Sequence, residues 1–321
     1  MKKTSIHMHN TRLFPKNLGA AAYKLTGIAA QCDWAIMSDQ KTGDFYVHGD
    51  LSRSPRTVFL SMRGFFASIP YFYENILPKI ESQFILITGS EDLTIPNQID
   101  KRWRAFRPDE KETIYRILED HRLVHWFAEN RDTVLPRMST LPIGYVFSGP
   151  QSHSAAIESR PCVPIKDRPL RALCSHRVRP GPQWETRRQV TNLSMTKFSE
   201  LVTIVNQEVS ETKFLNLIEE HAFVLCVQGG GIDPSPKAWT AIAHGSIPII
   251  ASSPLDDAYS QLPVAFVNGW DEHSLSEKKL REWIQRLAPY YDNPEMRLKV
   301  VEKLQLDYWW KQITNTYPKS Y

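Results

Sequence analysis

The chain has 321 residues, 42% of them hydrophobic and 23% charged, with a formal net charge of +4. Its length exceeds one ordinary core and suits two domains of about 150 residues each, and its composition excludes a disordered chain. The small positive charge, without a concentrated basic stripe, argues against a nucleic-acid partner and is compatible with a small anionic ligand.

The four cysteines, Cys32, Cys162, Cys174 and Cys226, are scattered and form no C-x-x-C pair. They read as free core thiols in a reducing compartment. Polar residues follow Met1-Lys2-Lys3 where a signal peptide needs an apolar stretch. No window approaches the roughly 18 apolar residues of a membrane span. A cytoplasmic protein without a transmembrane segment is expected.

Roughly the first 55 residues show no clear period. Thr57–Ser61 is a short apolar run of strand length, and helical spacing extends from Tyr71 to Ile80, limited by Pro78. Phe84–Gly89 is a continuous β-rich run closed by glycine, the pattern of a buried parallel strand. Ser90-Glu91-Asp92 follows it directly. In open α/β sheets ligands lie beyond the carboxyl ends of strands, which puts this acidic loop at a candidate site. Asp109–Glu119 has helix-forming content, His125–Ala128 is a second short strand, and Leu141–Val146 closes this half. Residues 148–168, rich in Ser and Pro, read as an interdomain linker.

The second half opens with a strand, Leu170–Ser175, and a basic loop carrying His176, Arg177, Arg179, Arg187 and Arg188. A helix is expected around Lys213–Glu220. Phe223–Gln228 is a strand that runs into Gly229-Gly230-Gly231. Ser235 and Pro236 supply an N-cap and a first helical position for a helix from Lys237 to His244, which Gly245 terminates. Ser246–Ala251 is the next strand, so the block is a βαβ unit. From Ser276 to Gln312 charge alternates with Leu, Ile and Trp at helical spacing, and Tyr308-Trp309-Trp310 falls near its end.

Three glycines let the backbone approach a ligand closely, and a helix start offers unpaired N–H groups; together they suit a diphosphate. A plain tight turn fits the same triplet. G-x-G-x-x-G and G-x-x-x-x-G-K-[ST] are both absent, against a dehydrogenase or a phosphate-loop NTPase. The arginines beyond the strand at 170–175 suit bidentate contact with phosphates. No two aspartates are separated by a single residue, and zinc-ligand spacing is missing, so neither a metal nor a cofactor is expected. A carboxylate at a candidate site can accept the proton of a reacting hydroxyl, and Asp92 with neighbouring Glu91 is the candidate. Phe65, Phe66, Tyr71, Tyr73 and Trp126 are aromatic candidates either for stacking on sugars or for the core.

The segment Phe223–Cys226, Gly230 and Lys237-Ala238-Trp239-Thr240-Ala241-Ile242-Ala243-His244-Gly245-Ser246-Ile247-Pro248-Ile249 resembles the exostosin-like glycosyltransferase pattern. In the first half, Phe84–Asp92, Trp126–Asn130 and Leu141–Gly144 are similar to bacterial and large-virus members. The resemblance covers about 84–146 and 223–270 and implies an α/β fold of the GT-B type, two Rossmann-like domains with a cleft between them. On that reading residues 1–150 bind the acceptor, 165–300 bind the nucleotide sugar, and the helix in 301–321 crosses back to the first domain.

The implied activity is inverting, metal-independent transfer from a nucleotide-diphosphate sugar, of UDP or GDP type, to a saccharide or glycan acceptor. The donor set is Arg177, Arg179, Arg187, Gly229, Gly230, Gly231, Ser235, Lys237 and Thr240. The family's glutamate falls on Thr240, which hydrogen-bonds but offers no carboxylate. Host cytoplasm is the setting if the source is viral. Two other readings stay open: a non-catalytic saccharide- or nucleotide-binding relative, and a nucleotide-sugar epimerase.

Overall fold

A computed structural model describes residues 4–6, 8–13, 17–146, 155–157 and 163–317. The chain divides into two compact units. The N-terminal unit takes residues 7–154, 230–232 and 305–321; the C-terminal unit takes 1–6, 155–229 and 233–304. Most of the expected linker, and Cys162, lie outside the described residues; within 163–168, Ile165–Asp167 forms a single helical turn.

The N-terminal unit holds a six-stranded sheet. Its strands are β1 (Trp34–Ser38), β2 (Phe45–Gly49), β3 (Thr57–Ser61), β4 (Phe84–Gly89), β5 (Leu123–Ala128) and β6 (Met138–Thr140), in the order β2-β1-β3-β4-β5-β6. Only β2 runs antiparallel, at one edge. Every residue of β3 and β4 is buried, as their unbroken apolar runs require of strands covered on both faces.

On one face Val58, Leu60, Leu86 and Trp126 pack against Phe72, Ile76, Ile114 and Ile117. The last two come from helix α1 (Pro108–Glu119), whose Glu110 carboxylate reaches back to the Arg107 N–H at 2.8 Å. The helix expected over 71–80 is present as a continuous helical run of changing pitch, Ser68–Tyr71, Phe72–Ile76 and Leu77–Lys79. Pro78 has no N–H to continue an α ladder. The β1–β2 hairpin falls in the region where the sequence shows no period. The terminal helix, Leu306–Thr314, also belongs to this unit, and its Leu306, Trp309 and Ile313 are buried.

The C-terminal unit holds an all-parallel sheet of β7 (Ala172–Cys174), β8 (Val202–Ile204), β9 (Phe223–Leu225), β10 (Ile247–Ala251) and β11 (Ala265–Val267). The order is β8-β7-β9-β10-β11, so the direction of winding reverses between β7 and β9. Its helices are α2 (Glu185–Met195), α3 (Glu211–Glu220), α4 (Lys237–Ala243), α5 (Glu277–Leu287) and α6 (Pro294–Leu304). Arg187 and Arg188, expected in a basic loop, lie on α2, because the loop closes at Trp184. The long helical tail is broken into separate helices at Pro289 and Pro294. A short antiparallel pair joins Thr4–Ile6 to Ala155–Ile157. Among the described residues no helix is long and apolar enough to cross a membrane.

Helix α4 sits between the two most informative strands and ends as its sequence predicts. Gly245 adopts φ +78°, its N–H bonds to the Ile242 carbonyl, and the Ser246 N–H bonds to that of Ala241 at 2.8 Å. At the other end the Ser235 hydroxyl accepts from the Lys237 N–H, so the cap and the proline sit one position further from the regular helix than expected. Arg297 of α6, only 1% exposed, donates to the carbonyls of Ile242 and Ala243 at 2.8 and 2.7 Å. A cation is favoured at that end of the helix dipole. Both units are thus Rossmann-like α/β layers.

Replacing Arg297 with Met strands two buried carbonyls at the end of α4. We expect a loss of about 2–4 kcal/mol, seen as a lower urea midpoint for the C-terminal unit. A shift under about 0.5 kcal/mol would show that the carbonyls find other partners.

Candidate active site

Doubly wound sheets bind ligands beyond the carboxyl ends of the strands, where the winding reverses. In the C-terminal unit that place is bounded by the residues after β7, Ser175 to Arg177, and those after β9, Cys226 to Gly229. Lys237, the first residue of α4, lies against it. Lys237 interacts with Cys226, Cys174, Arg187 and Arg177, and its ammonium has no carboxylate partner among the described residues. Burial, reinforced by Arg187, lowers its pKa to about 8. Burial also pushes the Cys226 thiol up to about 12 and the His176 imidazole down to about 4, with Lys237 and Arg187 adding to the fall at His176. The place is positive, and among the described residues no acid pairs with its most enclosed charge.

The arginines around it do different things. Arg187 donates through Nε to the carbonyls of Val227 and Gln228 at 3.3 and 3.2 Å, and through Nη2 to Val227 at 3.2 Å. It ties α2 to the loop after β9. Arg177 pairs with exposed Glu208 at 2.8 Å. The guanidinium carbons of Arg179 and Arg187 lie 5.3 and 5.1 Å from the centroid of Trp184. Gln183 donates to the Gly229 carbonyl at 2.6 Å. A Cβ on Gly229 would press on the ends of the Arg187 and Trp184 side chains, which would have to shift. Thr240 turns its hydroxyl back to the Pro236 carbonyl at 3.2 Å, and the Ser235 N–H bonds to Asp233 at 2.8 Å.

The glycine triplet does not act as one cradle. Gly229 belongs to the C-terminal unit, whereas Gly230 and Gly231 pack in the N-terminal unit. The Gly231 N–H is committed to the Asp100 carboxylate at 2.7 Å, and Ile232 N–H to the Asn130 side chain at 3.1 Å. A Cβ on Gly230 would strike Asp92 and Arg102. These two glycines face carboxylates, a poor setting for a diphosphate, which narrows the expected donor set to the groups at the β7–β9 reversal.

Asp92 follows β4 in the N-terminal unit, with its side chain 21% exposed between Arg12 at 3.0 Å and Arg102 at 2.8 Å. Arg102 also holds Asp100 at 2.6 Å. Burial opposes ionisation of Asp92, but Arg12 and then Arg102 outweigh it and bring the pKa to about 2. Glu91 is buried and accepts from the Asp92 N–H at 3.0 Å.

Glu129, following β5, is 2% exposed. It accepts from the Ser90 N–H at 2.6 Å and the Thr11 hydroxyl at 2.9 Å, with Arg12 at 3.7 Å. Burial raises its pKa to about 7 against the pull of Arg12, and Asp92 adds to the rise. The two acids share one arginine and are driven apart in acidity. Trp126, a candidate for stacking on sugar, is instead a fully buried core residue whose Nε1 donates to Thr88. Phe65 is buried with it, while Phe66, Tyr71 and Tyr73 pack partly buried against the same core.

No protein-family model matches the sequence, and no curated protein matches it. Solved structures do match. Sucrose-phosphate synthase from Thermosynechococcus elongatus is 12% identical over 82% of this chain and 73% of its own, with a TM-score of 0.45. The apo structure of OtsA is 10% identical over 83% and 73%, at 0.47. The spinosyn rhamnosyltransferase SpnG complexed with thymidine diphosphate is 12% identical over 81% and 73%, at 0.38. At scores this low the fold assignment rests on the two sheets themselves.

Asp92, Glu91 and Lys237 are recognisable in the sequence as candidates, whereas Arg12, Arg102, Asp100 and Asn130 join the site only through the fold. Arg12 meets Asp92 across 80 residues of chain, and no local pattern announces such a pairing. Trp184, beside the arginines in sequence, was open to detection.

Glu129 makes stability depend on pH with a definite sign. Its folded pKa lies above the ordinary 4.5, so the folded state holds the proton more tightly, and stability falls as pH rises through that interval. Glu129→Gln removes the titration. Its stability relative to the parent chain should rise by on the order of 1–3 kcal/mol between about pH 5 and pH 8. A difference that does not change with pH in urea titrations would contradict the assignment.

Proposed function

We propose that the chain is an inverting, metal-independent glycosyltransferase of the exostosin-like type. It would move a sugar from a UDP- or GDP-type nucleotide sugar to a saccharide acceptor. The observation carrying this reading is the uncompensated ammonium of Lys237 at the winding reversal, flanked by Arg177, Arg179 and the Arg187-braced loop ending at Gly229. A diphosphate would supply the missing negative charge there and favour the charged form of Lys237. Ser235, just before α4, and Thr240, within α4, are assigned to the donor side with it. No step requires a cofactor, since cationic side chains stabilise the leaving diphosphate.

In the reaction the acceptor oxygen bonds to the anomeric carbon as the bond from that carbon to the diphosphate oxygen breaks, inverting the centre. The proton of the acceptor hydroxyl passes to a carboxylate. Asp92 is assigned that role because it is ionised and reachable, and Glu91 supports it through the Asp92 N–H. Glu129 has the acidity better matched to neutral pH but is enclosed. Reduced Cys32, Cys174 and Cys226 accord with a cytoplasmic setting, which is part of the proposal. The Thr240 hydroxyl, bonded within its own helix, favours one competing reading, a relative that binds nucleotide without turnover.

UDP and GDP, added separately, are expected to raise the melting temperature, and Lys237→Met to weaken the effective nucleotide at least about tenfold. If neither nucleotide, nor thymidine diphosphate, stabilises the protein, the donor assignment falls. Asp92→Asn should leave nucleotide affinity nearly intact and lower turnover about 10²-fold or more.

The pH profile separates the two acids. With Asp92 as proton acceptor, kcat/KM stays level from about pH 7 down to pH 5; with Glu129 it falls roughly tenfold per unit below about 7.

A further inference from the structure

The N-terminal unit carries a cavity of about 420 Å³ that the reaction described above does not use. That size is within the roughly 300–1,000 Å³ typical of ligand sites. It is built on the β1–β2 hairpin. Met37 pairs with Tyr46, and Ala35 with His48, so Tyr46 and His48 project on one side of the edge strand. Phe45 and Val47 project on the other side, into the core. The opposite wall comes from the turns at 20–31, through Tyr23, Leu25 and Ala30.

Tyr23 is fixed, its hydroxyl donating to Asp39 at 2.9 Å and the Arg63 guanidinium lying 5.0 Å over its ring. Tyr46 is 44% exposed. Neither its hydroxyl nor the His48 ring has a partner among the described residues. Among the described residues, no acidic or basic side chain other than His48 lines the cavity.

We infer that this cavity is a binding subsite for a neutral saccharide, an outer residue of the acceptor. Flat rings with a polar edge, two tyrosines and a histidine, suit the apolar face and equatorial hydroxyls of a pyranose. The lack of lining carboxylate or ammonium groups favours an uncharged sugar over a uronic acid or a sugar phosphate. The cavity is also connected to the acidic loop. Arg63, which covers Tyr23, donates to the Ser90 carbonyl at 3.1 Å and its hydroxyl at 2.9 Å, two residues before Asp92. Arg63 thus packs both against the Tyr23 wall of the subsite and against the loop that leads to Asp92. Its assignment to an acceptor rests on the transferase reading; sugar binding itself does not.

The test is calorimetry on the full chain with maltotetraose, cellotetraose and chitotetraose, in parallel with Tyr46→Ala and His48→Ala. Both side chains are exposed, so the variants should fold, which an unchanged melting temperature verifies. At least one tetrasaccharide should bind the parent chain, and each variant should weaken it about fivefold or more, with the nucleotide-induced melting shift unaltered. Absence of binding by all three glycans, or equal binding by the variants, overturns the subsite. Loss of glycan binding in the variants together with no response to any nucleoside diphosphate would keep the subsite and remove the transferase reading.

Discussion

Lys237 is a cation half withdrawn from water, with no carboxylate partner among the described residues, and the proposed donor site depends on that imbalance. An ammonium in such a place is costly unless something neutralises it. The two thiols beside it have their pKa values raised, which makes them poor anions, and Arg187 is committed to carbonyls while adding like charge. The protein maintains this arrangement through well-packed parts: the Schellman end of α4, Arg297 behind it, and the braced loop after β9. A site so constructed has most to gain from an anion carrying more than one charge.

The N-terminal unit solves the opposite problem. Its strand ends carry Glu91, Asp92, Asp100 and Glu129, and Arg12 and Arg102 reach in to compensate for them. Because Arg12 is shared, the more exposed acid stays ionised while the enclosed one is pushed toward neutrality. Two carboxylates a few residues from adjacent strands thus acquire different chemistry from surroundings alone.

Much of the fold was legible where one local rule acted without competition. β4 and the strand–helix–strand around α4 were readable from continuous apolar runs, a proline and a glycine. The β1–β2 hairpin was not, because β1 is buried on both faces while β2 is an edge strand with one face in water, and neither gives a clean alternation over enough residues. α2 was hidden by its polar composition, since only Val190 and Ser194 of its eleven residues are buried. In the candidate site, residue types predicted charge but not commitment. Four arginines near a strand end read as interchangeable phosphate ligands, whereas Arg187 is occupied by backbone carbonyls and Arg177 by Glu208. Three consecutive glycines read as one device, yet each lies against a different side chain, Arg187, Asp92 and Asn130, and only Gly231 has a left-handed φ.

Neither unit is a continuous stretch of chain. The N-terminal unit borrows its last helix from residues 306–314, and Met8 forms a backbone bridge with Gln305. On the ribosome, at about 5–20 residues per second, the half made first must wait some ten seconds or more for the segment that completes it. Until then the surface that Leu306, Trp309 and Ile313 later cover is open to chaperones and to other nascent chains.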